Sequence, residues 1–435
     1  MELVDPGNLD AQVGIMSRRL LALAWMMPPL IFPRSLQVSR TLRAMSDRGW
    51  KTTVVAVPPD VEPFAAQDPR LEAFYRGSYE TRYVEPREEV ESSPLWLRIV
   101  RRILRTKNTR DSNWIRRASA ALCQQIVAES PDALISFAQP WINHRVALRV
   151  KRLHPQLPWV VHFSDPWVDS PYFTPPDENA RTTAIKQERE IIATADAVIF
   201  TTRETADLVM AKYPSSWARK VHVISHGYDA DLLGLIEPRP KPEKFTIIHT
   251  GNLYERREPF ALLRALVTLR AEPSAPELQV KFVGHATQAM QDMVRQLSLD
   301  DIVSLAPNLP FLDSLAIAQS ADLLLVIDAP AEHSVFLPSK IVDYLSLRRP
   351  ILALTPQAGA SARVLGGLGF PTVDPTDEAG ILAMLRESLA RWRMGESATP
   401  VPPSEILRAF DIREVTAGFE EVVVSAISDE ERKHA

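Results

Sequence analysis

The sequence predicts an α/β protein in which two Rossmann-like domains face each other across a cleft. Three observations support this fold class. Short apolar runs alternate with helix-like stretches along most of the 435 residues, a pattern typical of parallel sheets covered by helices. A proline-rich break at residues 237–244 divides the pattern into two halves. The chain is also longer than a single hydrophobic core usually organises.

The first half, residues 1–236, opens with a strand–helix–strand unit. An apolar run at residues 20–27 precedes a helix-like stretch at 35–48 and a second apolar run at 52–57. Because such crossovers are right-handed, the two runs are expected to be parallel strands of one sheet. The polar stretch at 58–94, rich in proline and glutamate, is expected to form an irregular insertion. Further strands are predicted at residues 133–137, 159–163, 197–201 and 221–224.

The pattern restarts after residues 237–244, which read EPRPKPEK and form a predicted linker. Residues 245–401 are the predicted second domain, and residues 402–435 are expected to form helices that pack back on the first domain. Doubly wound sheets bind ligands at the carboxyl ends of their strands, so we expect the site between the domains. Strands of the second domain are predicted at residues 245–249, 278–283, 321–327 and 350–354, and a helix at 259–269.

The composition argues against several classes of protein. A formal charge of −4 argues against a general nucleic-acid-binding protein, since these present a basic face. The single cysteine, Cys123, leaves no partner for an internal disulfide and fits a reducing compartment. The nine histidines show no metal-ligand spacing, so no metal is expected. The longest apolar stretch, residues 20–32, is too short to span a bilayer, and we expect a cytoplasmic protein.

Residues 96–117 are strongly basic and contain Leu97, Val100 and Leu104 at helical spacing. A basic amphipathic helix can rest on anionic lipid headgroups, which predicts a peripheral contact with the inner membrane surface. A helix packed on the core with a solvated basic face explains the same pattern.

The segment 249–254 reads His-Thr-Gly-Asn-Leu-Tyr and connects a predicted strand to a helix. Gly251 allows the backbone to approach a bound group closely, and a following helix offers amide groups to phosphate. Arg257 adds a cation suited to phosphate oxygens. We therefore predict that Gly251, Asn252 and Arg257 bind a phosphorylated ligand. The alternative is an ordinary glycine at the end of a strand.

A second segment, 337–345, contains Pro338, Ser339, Lys340 and Asp343 at the start of a predicted helix. Lys340 and Asp343 are three positions apart and therefore share one face of that helix. The cation suits a diphosphate, the carboxylate can accept hydrogen bonds from ribose hydroxyls, and Ser339 lies beside them. A solvent-exposed Lys–Asp pair has the same spacing and remains the alternative.

These two segments resemble the donor half of retaining glycosyltransferases with the GT-B fold, of the family-four type. The first half continues the resemblance. Residues 162–167 read His-Phe-Ser-Asp-Pro-Trp and resemble the segment at the mouth of the cleft, while residues 194–199 resemble a strand of the family. Residues 225–229 resemble the turn before the linker. The likeness extends over nearly the whole chain except about residues 58–110.

The resemblance implies roles for individual residues. Arg257 and Lys340 match the basic pair that neutralises the donor diphosphate as it leaves. Gly251 matches the glycine beside the phosphates, and Asp343 matches the acid that holds the ribose. The implied co-substrate is a nucleoside-diphosphate sugar, with no metal needed to bind it.

The acceptor is expected to meet the donor from the first half, near Arg34, His162 and Asp165. His162 and Asp165 are the predicted catalytic residues on this side, beside Arg257 and Lys340 on the other. A strand histidine with its hydrogen bonds satisfied in the core is the alternative for His162. Because Asp-Pro-Trp follows the end of a predicted strand, Trp167 is also expected to face the cleft.

The sequence departs from the family pattern at two positions. Val335 replaces the first acid of the paired-acid motif, so Glu332 and His333 are the nearby candidates for contacting the sugar. Ser164 stands where many relatives carry a histidine before the aspartate. His162 can replace that histidine because positions 162 and 164 lie on one face of a strand.

The predicted function is transfer of a sugar from a nucleoside-diphosphate sugar to a polysaccharide, lipid-linked or small-molecule acceptor, with retention of configuration. Two alternatives use the same fold. One is a nucleotide-sugar epimerase, which forms no glycosidic bond, and the other is a non-catalytic protein that binds sugar nucleotides.

Overall fold

The computed structural model describes residues 18–63, 65–86, 108–254, 256–272 and 278–434. Within them the chain forms one parallel sheet in each half, and helices connect the strands. The predicted α/β class with two Rossmann-like halves is therefore confirmed.

The strands of the first half are β1 (Arg19–Leu23), β2 (Lys51–Ala56), β3 (Glu80–Tyr83), β4 (Ala133–Phe137), β5 (Trp159–Phe163), β6 (Ala197–Phe200) and β7 (Val221–Val223). They form a seven-stranded sheet in the order β3-β2-β1-β4-β5-β6-β7. Leu21 and Leu23 of β1 enter one apolar cluster, and Leu20 and Ala22 enter another. Both faces of the sheet are therefore covered, which explains why its strands read as continuous apolar runs.

The helices of the first half are α1 (Pro33–Asp47), α2 (Pro69–Tyr75), α3 (Asn108–Glu129), α4 (Ile142–Leu153), α5 (Glu178–Thr194) and α6 (Arg203–Met210). Local signals set where they begin. α1 starts at a proline, which suits the first helical turn. α5 starts behind Asp177, whose side chain accepts a hydrogen bond from the amide of Ala180.

The second sheet consists of β8 (Phe245–Thr250), β9 (Leu278–Val283), β10 (Val303–Ala306), β11 (Leu323–Ile327), β12 (Ile351–Leu354) and β13 (Thr372–Val373). Its order is β10-β9-β8-β11-β12-β13, and every pairing is parallel. The helices of this half are α7 (Phe260–Arg270), α8 (Gln288–Gln296), α9 (Phe311–Gln319), α10 (Ser339–Leu347), α11 (Ala360–Gly367) and α12 (Glu378–Arg393).

The end of the chain forms α13 (Ser404–Leu407) and α14 (Ile412–His434). α14 lies against α1, and its Phe419 and Val423 enter the apolar cluster that contains Leu20 of β1. A further apolar cluster includes Leu36 from the first half and Ile341 from the second. The two halves are thus in contact beneath the cleft that separates their sheets.

The predicted irregular insertion at residues 58–94 is wrong for the part that the structure describes. This part contains α2 and β3, and β3 pairs in parallel with β2. The sequence pattern hides both elements for a physical reason. Only Leu71 and Tyr75 of α2 are buried, and β3 is an edge strand without a fully buried residue, so neither shows an apolar period. Residues 87–94 lie outside the described ranges.

The predicted basic amphipathic helix at 96–117 lies outside the described residues up to residue 107. Its last residues belong to α3, where Trp114 is fully buried in the core. The indole Nε1 of Trp114 donates a hydrogen bond of 3.2 Å to Asn143 Oδ1 of α4. None of the helices in the described ranges has the length and apolar character needed to cross a membrane.

Candidate functional site

A cleft of about 1070 Å³ lies between the two sheets. Its walls are built from residues that follow the strands of both sheets. Gln139 follows β4 and Ser164 follows β5 on one side, while Gly251 follows β8 on the other. The cleft therefore occupies the carboxyl ends of the strands, where doubly wound folds bind ligands.

Two glycines bring the loops after β8 and β9 into contact. Gly251 has a φ of +115° and Gly284 a φ of +149°, both in the region that favours glycine. A Cβ atom on Gly284 would collide with the carbonyl oxygen of Gly251, and one on Gly251 would lie 2.8 Å from the Nζ of Lys340. Gly251 is a predicted site residue, whereas Gly284 follows a strand without any motif and was not predicted.

Lys340 lies in the first turn of α10 and lines the cleft. Its Nζ is 3.1 Å from Nε2 of His249, whose Nδ1 is 2.8 Å from the carbonyl oxygen of Leu325. Because a carbonyl only accepts, Nδ1 carries the hydrogen, and Nε2 is free to accept a hydrogen bond from Lys340. Burial, followed by the charge of Arg257, lowers the pKa of Lys340 to about 7.

Arg257 faces the same space from the loop after β8. Its guanidinium lies over the ring of Tyr254, 5.0 Å from the ring centre. The buried Nε of Arg257 has no hydrogen-bond partner within the described residues. Neither Arg257 nor Lys340 forms an ion pair in the part of the chain that the structure describes. Two cations that form no ion pair among these residues make a site suited to a polyanion.

The other predicted donor contacts also line the cleft. Asn252 Oδ1 accepts a hydrogen bond of 2.9 Å from the amide of His285, which fixes the side chain beside Gly251. Ser339 is the first residue of α10. Asp343, one turn further along, lines the cleft and forms a salt bridge of 2.7 Å with Arg40 of α1.

On the first-half wall, Arg34 of α1 is held by three neighbours. Its Nη2 is 2.7 Å from Nδ1 of His162, its Nη1 donates to Gln37 Oε1 at 3.1 Å, and its Nε donates to the carbonyl oxygen of Ala138. Burial lowers the pKa of Arg34 to about 9, against the opposing effect of Asp165. The guanidinium is thus fixed in direction and partly desolvated.

Asp165 lies opposite the cations of the second half. Its Oδ2 accepts hydrogen bonds from Ser164 Oγ at 3.0 Å and from Gln139 Nε2 at 3.2 Å. Burial raises the pKa of Asp165, although Ser164, Arg34 and Arg257 pull it in the opposite direction. The influence of Arg257 reaches across the cleft, so the structure brings Asp165 and the two cations around one space.

Residues 35–227 match the model of the glycosyl transferase 4-like domain. No curated protein matches the sequence. The solved structures similar to this chain share its fold at low identity. Sucrose-phosphate synthase from Thermosynechococcus elongatus has a TM-score of 0.65 at 14% identity, covering 95% of this chain and 100% of that one. A glycosyltransferase from Rickettsia africae ESF-5 has a TM-score of 0.64 at 11% identity, with coverage of 95% and 99%.

Residues 35–227 therefore contain a glycosyl transferase 4-like domain, and the chain has the GT-B fold of the similar structures. The same fold also occurs in a putative UDP-N-acetylglucosamine 2-epimerase from Listeria monocytogenes, with a TM-score of 0.55, 11% identity and coverage of 93% and 95%. Similarity at this level of identity concerns architecture alone.

The structure places several predicted contacts differently. His162 is buried behind Arg34 and does not line the cleft, and burial holds its pKa well below the usual value. Trp167 is also wrong as a cleft residue, because its ring stacks on Trp141 at 5.5 Å in the core. A tryptophan directly after a strand is close enough to the core to be drawn into it.

The suggested sugar contacts Glu332 and His333 are wrong as well. Their side chains are 93% and 73% exposed, and neither lines the cleft. The loop is turned by Val335, whose carbonyl oxygen accepts hydrogen bonds from the hydroxyls of Thr202 and Thr205 across the interface. Glu332 and His333 precede this contact and point to solvent.

Two further features were not predicted from the sequence, one in the cleft and one beneath it. His226, in the turn after β7, lines the cleft and is kept neutral, because burial and the charges of Arg34 and Arg40 lower its pKa to about 3. The resemblance identified this turn but gave the histidine no role. Arg40 lies outside every motif, and only the fold shows that it reaches Asp343.

Proposed function

We propose that this glycosyltransferase moves a sugar from a nucleoside-diphosphate sugar to an acceptor hydroxyl with retention of configuration. The observation that carries the proposal is the meeting of Arg257, Lys340 and Gly251 at one end of the cleft, opposite Asp165. Two cations without an ion pair among the described residues, beside a glycine that exposes its backbone, are suited to a diphosphate.

In the proposed reaction, the bond between sugar C1 and the diphosphate oxygen breaks, and its electron pair leaves with the nucleoside diphosphate. Negative charge grows on the leaving oxygen in the transition state. Arg257 and Lys340 stabilise that charge because they are already in place and need no reorganisation. Through these two residues the second half contributes to the reaction rate as well as to the affinity for the donor.

The new bond forms between C1 and the acceptor oxygen on the face from which the diphosphate leaves, so that configuration is retained, and the hydroxyl proton passes to Asp165. A carboxylate whose pKa is raised by burial is a better proton acceptor than one in water. Arg34 lies beside it to orient the acceptor. His162 supports Arg34 from behind and acts as a positioning residue, without touching either substrate.

A nucleotide-sugar epimerase is the second candidate, and structures of such enzymes are among those with this fold. The family model of the first half favours the transferase. The two activities differ in one measurable product. An epimerase converts the sugar nucleotide without an acceptor, whereas the transferase releases nucleoside diphosphate in step with a new glycosidic bond.

The donor site is tested by calorimetry with UDP, GDP, ADP and their glucose and N-acetylglucosamine derivatives. Wild type should bind one nucleotide series, and Arg257→Ala should weaken that binding about 10- to 100-fold, the loss expected of charge-assisted hydrogen bonds. Arg256→Ala is the matched control, because its side chain is exposed and does not line the cleft. Equal affinities of the two variants would contradict the donor site.

The reaction is tested with the nucleotide sugar that binds and a panel of polysaccharide, lipid-linked and small-molecule acceptors. We expect nucleoside diphosphate release to depend on one acceptor class, with a product anomer that matches the donor by NMR. An inverted product would contradict retention. Acceptor-independent conversion of the sugar would identify the epimerase.

A further inference from the structure

Arg40 is a buried arginine that spans the interface between the two halves. It belongs to α1 in the first half and is only 2% exposed. Its Nη2 donates to Asp343 Oδ1 of α10 at 2.7 Å, and its Nη1 donates to the carbonyl oxygen of Gly227 at 3.3 Å. The guanidinium also lies 5.6 Å from the ring centre of Phe311 in the second half.

The guanidinium of Arg40 is charged in the folded protein. Burial alone would lower the pKa of Arg40, but Asp343, Tyr75 and Asp229 raise it above the usual value. A charge removed from water this far persists only when it is paired and hydrogen-bonded. The pair therefore fixes the rotamer of Asp343 from outside the donor-binding half.

Asp343 has one oxygen committed to Arg40 and still lines the cleft. Its Oδ2 accepts no hydrogen bond from any residue in the described ranges. Asp343 is also one helical turn beyond Lys340, so its carboxylate lies next to the cation proposed to meet the diphosphate. The ribose is one of the two groups of a nucleotide-sugar donor that are attached to that diphosphate and offer hydroxyls.

We propose that Arg40 is a positioning residue that orients Asp343 toward the ribose hydroxyls of the donor, so that the first half completes the nucleotide site of the second. This inference rests on the proposed function, because it requires a nucleoside-diphosphate donor in the cleft. Arg40 does not line the cleft itself and acts only through Asp343.

The test is the preference for ribose over deoxyribose. UDP, GDP and ADP are compared by calorimetry with their 2′-deoxy and 3′-deoxy forms, using the base that wild type binds. Wild type should prefer the ribonucleotide about tenfold or more, as expected when a charged acceptor loses its donor hydroxyl. Arg40→Met and Asp343→Asn should each bring this ratio close to one.

Arg43→Met is the matched control. Arg43 lies one turn along α1 and pairs with Asp229 and Asp231, both of the first half. It therefore tests the loss of a partly buried arginine that does not reach the donor side, and it should keep the ribose preference. Lys340→Ala should lower the affinity for both nucleotide forms and leave their ratio unchanged.

Arg40→Lys separates a loss of positioning from an unfolding of Arg40→Met. It keeps the charge but cannot reach both Asp343 and Gly227. Arg40→Lys should retain part of the ribose preference. A full preference in Arg40→Met or Arg40→Lys, beside its loss in Asp343→Asn, would overturn the role of Arg40 and leave the donor site intact. A wild type that binds none of the nucleotides would overturn both proposals.

Discussion

The charged side chains on the two walls of the cleft differ in whether they have partners within the protein. On the second-half wall, Arg257 and Lys340 line the cleft without an ion pair among the described residues, and burial lowers the pKa of Lys340 to about 7. On the first-half wall, Arg34 and Asp165 already have hydrogen-bond partners within the protein. One wall is thus incomplete until an anion arrives, whereas the other is arranged beforehand.

This difference indicates that the two halves contribute differently to binding and to the chemical step. Cations without an ion-pair partner gain the most interaction free energy when a diphosphate binds, because they have already lost their water during folding. Groups that already have hydrogen-bond partners within the protein add little to the affinity for a ligand, but they hold an acceptor in one orientation. We expect variants of the second-half wall to affect the chemical step strongly, and variants of the first-half wall to affect acceptor use.

The largest effect is expected for Lys340→Ala. Loss of a positioned cation at the leaving group should lower kcat about 10²- to 10³-fold, by analogy with removal of a single donor from an oxyanion site. Lys340→Arg keeps the charge and should recover part of the rate. The comparison is steady-state release of nucleoside diphosphate, with Lys186→Ala as an exposed-lysine control. Equal kcat values for Lys340→Ala and wild type would contradict the expected effect of the second-half wall on the chemical step.

The next effect concerns pH. Lys340 has a pKa of about 7 in the free protein, and a bound diphosphate favours its charged form and raises that pKa. Protons are therefore taken up on binding above pH 7, and affinity should fall by up to about tenfold per unit as pH rises from 7 to 8.5. Below pH 7 the lysine is already charged and affinity should level off.

A nucleotide sugar is the appropriate ligand for this measurement, because its phosphodiester groups do not titrate near neutrality. Calorimetry in two buffers of different ionisation enthalpy gives the proton uptake directly. Lys340→Arg should bind with little change over the same pH range. A pH-independent affinity in wild type would show that Lys340 is charged throughout.

The fold was largely predictable, because every strand buried on both faces appears as an apolar run. β4 and β5 lie at the predicted residues, and both are buried at every position. β3 was not predictable in the same way, since an edge strand needs no apolar period. α2 buries only two side chains, which is too few to produce a helical pattern.

The donor wall was predictable to a similar degree, because Gly251 and Lys340 lie in short motifs beside strand ends. The first-half wall was less so. Arg40 beneath it acquires its position from contacts between residues far apart in sequence, and local spacing does not reveal such pairs. Trp167 is the opposite case. It belongs to a motif that was expected to face the cleft, but its ring packs in the core.

A smaller effect is expected at the glycines that join the donor loops. Gly284→Ala should destabilise the protein by about 1–3 kcal/mol, because its φ is positive and the atom it meets is backbone that cannot move aside. Gly251→Ala meets the mobile end of Lys340, so it should weaken nucleotide binding more than it lowers the melting temperature.

Gly366→Ala is the control for both glycine variants, since it lies in α11 with open space around it and an ordinary φ. It should be neutral or slightly stabilising. The measurements are thermal unfolding and nucleotide affinity for all three variants. Gly284→Ala with wild-type stability would show that the loops after β8 and β9 need no close contact.

The smallest effect is expected at the rim of the interface, where Arg363 of α11 forms two hydrogen bonds, 2.6 and 3.0 Å long, with Glu204 of α6. The Arg363 side chain is 55% exposed, so solvent screens the pair, and Arg363→Met should cost less than about 1 kcal/mol of stability. The KM for the donor should change less than twofold, in contrast to the buried Arg40 pair. A double-mutant cycle with Glu204→Gln measures the coupling. A coupling as large as that between Arg40 and Asp343 would mean that the rim holds the halves together, and that burial does not decide which interface pair matters.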